Sequence, residues 1–187
     1  KRYTEDLPLN WIRGVDLCNG KSIFVPTDLV VDSRDSKIDR ASTNGIGSGI
    51  NLEDAIRSGL LELIERDAFC YSWWTQSKNP IVDFRSISDK RIQEVCFRFG
   101  TLIEDVYVTC LENEFGLPVF VATYCNEQNS RVRFLISGAC RLDPVDAIYK
   151  ALTELAMTFL CCDEPMRPPS SHMDFDESIL NFSDSIQ

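Results

Sequence analysis

A chain of 187 residues, 44% apolar and 26% charged, has the make-up of one globular domain or part of a larger one, and not of a disordered, collagen-like or coiled-coil protein. Nineteen basic against 29 acidic residues leave a net charge of −10. That balance counts against nucleic-acid backbones, whose affinity comes from Lys and Arg displacing counterions, and leaves open nucleotide phosphates held through a divalent cation, which needs carboxylates around it.

In chain order, Ile23–Val25 and Leu29–Val31 read as strands after a hairpin-type turn at Asn19-Gly20. The charged stretch 32–40 reads as a surface loop or a poorly ordered segment. Next comes a glycine-rich loop with Gly45, Gly47 and Gly49 at alternate positions. Such a loop can turn tightly and pass close to a ligand. It lacks the Gly-Lys-Ser/Thr of a Walker A loop and the last spacing of a dinucleotide fingerprint. A helix is expected from Asn51 to about Phe69, with Asn51 as N-cap and Asp54 completing a capping box. Its apolar stripe would be Leu52, Ala55, Ile56, Gly59, Leu60 and Leu63. Tyr71, Trp73 and Trp74, placed past that helix, read as aromatic core. A second helix is expected over 89–100, and strands over 105–111, 118–124 and 132–137. Asp143-Pro144 then opens a long helix to about Cys161, closed by the prolines of 165–169.

Eight cysteines contain no C-x-x-C pair, and His172 is the only histidine, so a zinc site has little support. The cysteines read as reduced, mostly buried thiols of a cytoplasmic protein. His172 has no nearby Cys or Ser partner and is not read as catalytic. The uncharged run in the C-terminal half, 155–162, contains Thr158 and is far short of the ~20 apolar residues of a membrane span.

The two long helices match at an offset of 92 positions: Asp54-Ala-Ile56 with Asp146-Ala-Ile148, and Leu60, Glu62, Leu63 with Leu152, Glu154, Leu155. Two amphipathic helices can share this grammar by chance. The other reading is a pseudo-twofold α/β domain, with half-repeats near 42–100 and 101–165, whose equivalent helices surround one site. A glutamate, Glu154, stands among the repeated residues. On the first helix, Ser58, Glu62 and Glu65 fall within about 60° of one another, with Arg66 beside them. Two carboxylates a turn apart repel. Mg²⁺ would remove that cost, taking one or two carboxylates, waters and phosphate oxygens, and Arg66 would meet the phosphates. An ordinary i, i+4 salt bridge from Glu62 to Arg66, with Glu65 a solvated neighbour, explains the same spacing.

Ser42-Thr-Asn-Gly45, Gly49, Leu52-Glu-Asp-Ala-Ile56 and Gly59-Leu-Leu-Glu-Leu-Ile-Glu-Arg-Asp-Ala68 closely resemble the first signature of the YcaO family. Ser137-Gly138, Asp143-Pro144 and Ala147-Ile-Tyr-Lys-Ala-Leu-Thr-Glu154 resemble the second. The opening from Pro8-Leu-Asn-Trp11 to Val25-Pro26 looks like the cyclodehydratase branch. The resemblance implies an α/β (α+β) YcaO-like fold, a pseudo-twofold repeat of mixed sheets with two long equivalent helices around a nucleotide site. It runs through most of residues 8–160 and implies that residues 1–187 are a single, partial ATP-binding domain. It implies ATP and Mg²⁺, with Glu62, Glu65 and Glu154 on the metal, Arg66 and Ser58 near the phosphates, and Ser42 and Asn44 near the nucleotide. The implied reaction is ATP-dependent thiazoline or oxazoline formation in a ribosomal precursor peptide, in the cytoplasm, with a leader-peptide-binding partner protein. A homodimer is compatible with it; nucleic acid and membrane are not partners. Thioamide or amidine formation shares the ATP half of this chemistry, and a non-catalytic nucleotide-binding or scaffold subunit is the alternative of another class. Two departures stand out. Met157 occupies a position where the family often has Gln, and family domains run to nearly twice this length, which points to a fragment or a reduced homologue needing another chain.

Overall fold

The computed structural model describes residues 7–31, 37–38, 42–129 and 132–162, which divide between Asn44 and Gly45 into two compact units. The expected prolines at 165–169, the acidic tail, His172 and most of the 32–40 loop lie outside the described residues.

The first unit is built on an antiparallel hairpin of β1 (Trp11–Val15) and β2 (Ser22–Pro26), in register from Trp11 opposite Pro26 to Val15 opposite Ser22. The Asn19-Gly20 turn is present. Gly20 sits at φ +72°, and the Asp16 carboxylate accepts the Cys18 N–H (2.8 Å). β1 was not expected, because Arg13 and Gly14 interrupt the alternation that marks a strand. The expected strand at 29–31 is absent: Thr27–Leu29 forms one 3-10 turn, whose carbonyl at Thr27 accepts the N–H groups of Val30 and Val31.

The second unit carries the larger sheet. β3 (Val106–Leu111), β4 (Val119–Cys125) and β5 (Phe134–Cys140) are antiparallel in the order β3-β4-β5, with Val119 opposite both Leu111 and Cys140. Both sheets of the molecule are thus antiparallel. Three helices accompany them: α1 (Leu52–Thr75), α2 (Lys90–Phe99) and α3 (Pro144–Cys162).

Each helix begins where a short polar side chain caps it. Asn51 accepts the Asp54 N–H (2.8 Å), Asp89 those of Arg91 and Ile92, and Asp143 those of Val145 and Asp146. The capping box at α1 is incomplete, since the Asp54 carboxylate pairs with Arg57. α1 also runs past its expected end to Thr75, closing on Gln76 in the left-handed conformation, so Trp73 and Trp74 lie on the helix.

Side-chain alternation splits the sheet into two faces. Val106, Val108, Phe120, Ala122, Tyr124 and Ala139 pack with Ala147, Ile148, Ala151, Leu152 and Leu155 of α3 and Ile92 and Phe99 of α2. The other face, with Leu111, Val119, Val121, Ile136 and Cys140, receives Leu61, Ile64, Ala68 and Phe69 of α1. Each fully buried aliphatic side chain here contributes about 1.5–3 kcal/mol. Arg91 ties α2 to α3 by pairing with both Asp89 (2.9 Å) and Asp146 (2.8 Å). The face of α1 that meets the sheet is therefore Leu61, Ile64 and Ala68, not the expected stripe: Leu52, Leu60 and Leu63 are exposed. Nor are the thiols mostly buried. All eight are free, only Cys140 is buried, and Cys18, Cys70 and Cys161 are exposed. Among the described residues, no helix is long and apolar enough to cross a membrane.

Candidate active site

α1 and α3 lie on opposite faces of one sheet, and β5 is its edge strand. Side chains from both helices can therefore reach the outer side of β5. A cleft of about 560 Å³ forms there, lined by Glu65, Arg66 and Phe69 of α1, Ile136, Ser137 and Gly138 of β5, and Glu154, Met157, Thr158 and Cys161 of α3.

Glu65 enters it from one face. Its Oε2 accepts the backbone N–H of Cys140 (3.3 Å). A side chain at position 138 would crowd it, for a Cβ there would stand 3.1 Å from Glu65 Oε1. Burial pushes the Glu65 carboxyl above the ordinary carboxylate range. Arg66 and the Cys140 amide oppose this, while the neighbouring charges of Glu154 and Glu62 add to it. Glu154 enters from the other face, accepting the Ser137 hydroxyl (3.4 Å) and pairing with Lys150 one turn earlier on α3 (2.5 Å).

Glu62 stands one turn before Arg66, at 3.8 Å. Its other oxygen accepts the Gly45 N–H (3.1 Å). That bond belongs to a close packing of the glycine-rich loop on α1. A Cβ at Gly47 would lie 1.8 Å from the Ala55 carbonyl, and one at Gly59 would lie 2.5 Å from the Gly45 carbonyl. Glycine is needed here for backbone-to-helix contact, and it is the helix that the loop approaches so closely.

Of the residues expected from sequence, Glu65, Arg66 and Glu154 come together in the cleft, and Glu62 is close enough to disturb Glu65 electrostatically. Ser58 is half-buried two turns before Glu65 and is not among the cleft's walls. Ser42 and Asn44 belong to the first unit, where the Asn44 N–H donates to the Ser42 hydroxyl (3.1 Å). Met157 is 60% exposed and borders both this cleft and a second, apolar groove of about 670 Å³ between α2 and α3. The larger groove holds no cluster of carboxylates. The Cys140 amide has no signal of its own in the sequence, and Ser137, Gly138 and Lys150 stand out there only as members of a signature.

The donors suit Mg²⁺ and phosphate. A half-buried carboxylate beside two others is relieved by a cation, and Mg²⁺ takes only one or two protein carboxylates when phosphate and water complete its shell. Among the described residues, no group of three metal-donor side chains converges tightly enough to enclose an ion.

An edge-strand cleft lined by carboxylates from two flanking helices defines the class: an α/β protein built around an acidic cleft. The chain matches the family model described as YcaO cyclodehydratase, ATP- and Mg²⁺-binding, over residues 1–183, and it belongs to the YcaO family. It is 30% identical over 168 residues to an uncharacterized protein of the tfuA 3′ region in Rhizobium leguminosarum bv. trifolii, covering 82% of this chain and 39% of that protein. Among solved structures it resembles the heterocyclase TruD (27% identity, TM-score 0.70, 87% of this chain and 24% of that one). It also resembles YcaO from Methanopyrus kandleri bound with AMPPCP and Mg²⁺ (22% identity, TM-score 0.73, 90% of this chain and 45% of that one). The chain thus spans less than half the length of each of these proteins.

Proposed function

We propose that this chain carries the acidic half of an ATP- and Mg²⁺-dependent peptide cyclodehydratase site, forming thiazoline or oxazoline rings in a ribosomal precursor peptide. The observation that carries the reading is the convergence of Glu65 and Glu154 on one cleft from opposite faces of the sheet, with Glu65 held where its charge is unfavourable without a cation. Family membership and the likeness to a heterocyclase support the reaction class.

When bound, Mg·ATP supplies the phosphoryl group that leaves with the amide oxygen, so that a Cys, Ser or Thr side chain of the substrate closes a ring with net loss of water. Glu65 and Glu154, with Glu62 behind them, would hold the metal, and Arg66 would orient phosphate oxygens. Ser58, Ser42 and Asn44 are assigned to the nucleotide by resemblance. Positioning and charge neutralisation are the main demands of phosphoryl transfer, and they are what these residues can provide. The two long helices are read as equivalent elements of half-repeats near 42–100 and 101–165. A leader-binding partner protein is part of the proposal, as is a cytoplasmic setting.

Mass spectrometry of a candidate precursor peptide incubated with the protein, its partner and Mg·ATP tests the reading. Loss of one water per modified residue is expected. Exchange of oxygen for sulfur would reassign the chain to thioamide formation, and an unchanged mass with intact nucleotide binding would make it a scaffold.

A further inference from the structure

Each carboxylate in or beside the acidic cleft gives one of its two oxygens to a donor within the protein. Glu65 commits Oε2 to the Cys140 amide (3.3 Å). Its Oε1 is left to the cleft, 3.1 Å from the place a Cβ of Gly138 would take, and Gly138 is itself a wall of the cleft. Glu62, the residue that Glu154 matches between the two long helices, commits Oε2 to the Gly45 amide (3.1 Å) and keeps Oε1 on the side of Arg66 (3.8 Å). Both amides are backbone donors, aimed by the fold.

At Glu154 the strong donor is a side chain. Lys150, one turn earlier on α3, holds Oε1 at 2.5 Å. Oε2 is the oxygen that reaches the Ser137 hydroxyl, at 3.4 Å. That contact is long for a hydrogen bond between oxygens, so Oε2 keeps lone pairs for an ion. Ser137 is a wall of the cleft and Lys150 is not. The ammonium therefore grips Glu154 from outside the cleft and leaves one oxygen turned into it. An i, i+4 pair adds little to a helix by itself; the consequence here lies in which oxygen it takes. The number of free oxygens bears on the choice of ion. Mg²⁺ keeps close to an octahedron, and the two oxygens of one carboxylate lie too near each other to fill adjacent corners. Ca²⁺ is larger, accepts about six to eight oxygens and readily takes both from one carboxylate.

We infer that Lys150 is a positioning residue that sets the metal selectivity of the site. By occupying Oε1 it restricts Glu154 to a single oxygen toward the cleft, and so favours Mg²⁺ over Ca²⁺ as the ion that accompanies the nucleotide. This rests on reading the cleft as a metal–nucleotide centre. Removing the ammonium frees the second oxygen of Glu154, and the ion that gains from a two-oxygen carboxylate is Ca²⁺.

Isothermal titration of Mg·ATP and of Ca·ATP into the full chain, as wild type and as Lys150→Met, tests this. Met removes the ammonium and keeps most of the apolar stem, at a partly exposed helical position that tolerates it. Loss of a positive charge alone strengthens the binding of both ions alike, so the readout is the ratio of the two affinities. The wild type should prefer Mg·ATP, and Lys150→Met should shift the ratio toward Ca·ATP by about fivefold or more. In the Glu154→Gln background the same substitution should leave the ratio where it was, because the oxygen it frees belongs to Glu154. An unchanged ratio in Lys150→Met, with Mg·ATP still bound, would overturn the inference and leave the reading of the cleft standing. A shift that persists in the Glu154→Gln background would also overturn it, since the ammonium would then act elsewhere. If the wild type binds neither complex, the reading of the cleft falls and the inference falls with it.

Discussion

Glu65 and Glu154 approach the outer edge of β5 from opposite faces of the same sheet, one accepting the Cys140 amide and the other the Ser137 hydroxyl. Alternation makes this possible. Cys140 belongs to the α1 face and Ser137 and Ala139 of the same strand to the α3 face, so two carboxylates 89 residues apart in sequence meet across the thickness of one strand. The arrangement places negative charge where burial opposes it.

One consequence concerns pH. Burial raises the folded-state pKa of Glu65 above its ordinary value of 4.5. Below the unfolded pKa the group is protonated in both states and costs nothing. As pH rises through the folded pKa, ionisation costs stability, and the full penalty persists above it. Glu65→Gln should therefore raise the melting temperature of the metal-free protein near neutral pH, and the gain should vanish on acidification below about pH 4. Added Mg·ATP should stabilise the wild type and not the variant. Thermal melts across pH with and without Mg·ATP measure both effects.

Two glycine substitutions should separate fold from site. Gly47→Ala drives a Cβ to within 1.8 Å of the Ala55 carbonyl, a backbone atom that cannot step aside. A loss of about 1–3 kcal/mol is expected in denaturant unfolding, as for other overpacked contacts. Gly138→Ala meets only the far end of the Glu65 side chain, at 3.1 Å. It should leave stability within about 0.5 kcal/mol and weaken Mg·ATP binding severalfold by displacing the carboxylate.

Much of this architecture is legible in the sequence, and the rest fails for identifiable reasons. Asn51, Asp89 and Asp143 announce helix starts because a capping carboxylate or amide acts on its own next turn. The pairing of Glu62 with Glu65, and the repeat of Glu62 at Glu154, are likewise local patterns. What is not legible depends on which face meets which layer. The stripe containing Leu60 and Leu63 obeys helical periodicity as well as the true one does, and only the sheet selects Leu61, Ile64 and Ala68. The Cys140 amide has no sequence signal at all, since its role follows from the register of β5. The glycine-rich loop is ambiguous in sequence because close approach to a helix and close approach to a ligand demand the same residue.

Thiol chemistry offers an independent check. Burial, with the Glu65 charge adding to it, pushes the Cys140 thiol up to about 11. It should resist maleimide at neutral pH in the native protein, while exposed Cys18, Cys70 and Cys161 react. Cys161 lines the acidic cleft. Mg·ATP should therefore slow its labelling and leave Cys18 unaffected, as read by peptide mapping.

Met157 borders the cleft with a side chain that neither coordinates Mg²⁺ nor hydrogen-bonds well to phosphate. Met157→Gln, at a 60% exposed position that tolerates the change, should tighten Mg·ATP binding severalfold. An unchanged affinity would mean that the residue at this position faces the groove between α2 and α3.

The central claim is that Glu65 and Glu154 together hold a metal–nucleotide complex. Isothermal titration of Mg·ATP into the wild type and into the Glu65→Gln, Glu154→Gln double variant tests it most directly. The account predicts saturable, Mg²⁺-dependent binding by the wild type and a loss of at least about tenfold in the variant, equivalent to about 1.4 kcal/mol. Equal affinity in the two proteins would contradict it.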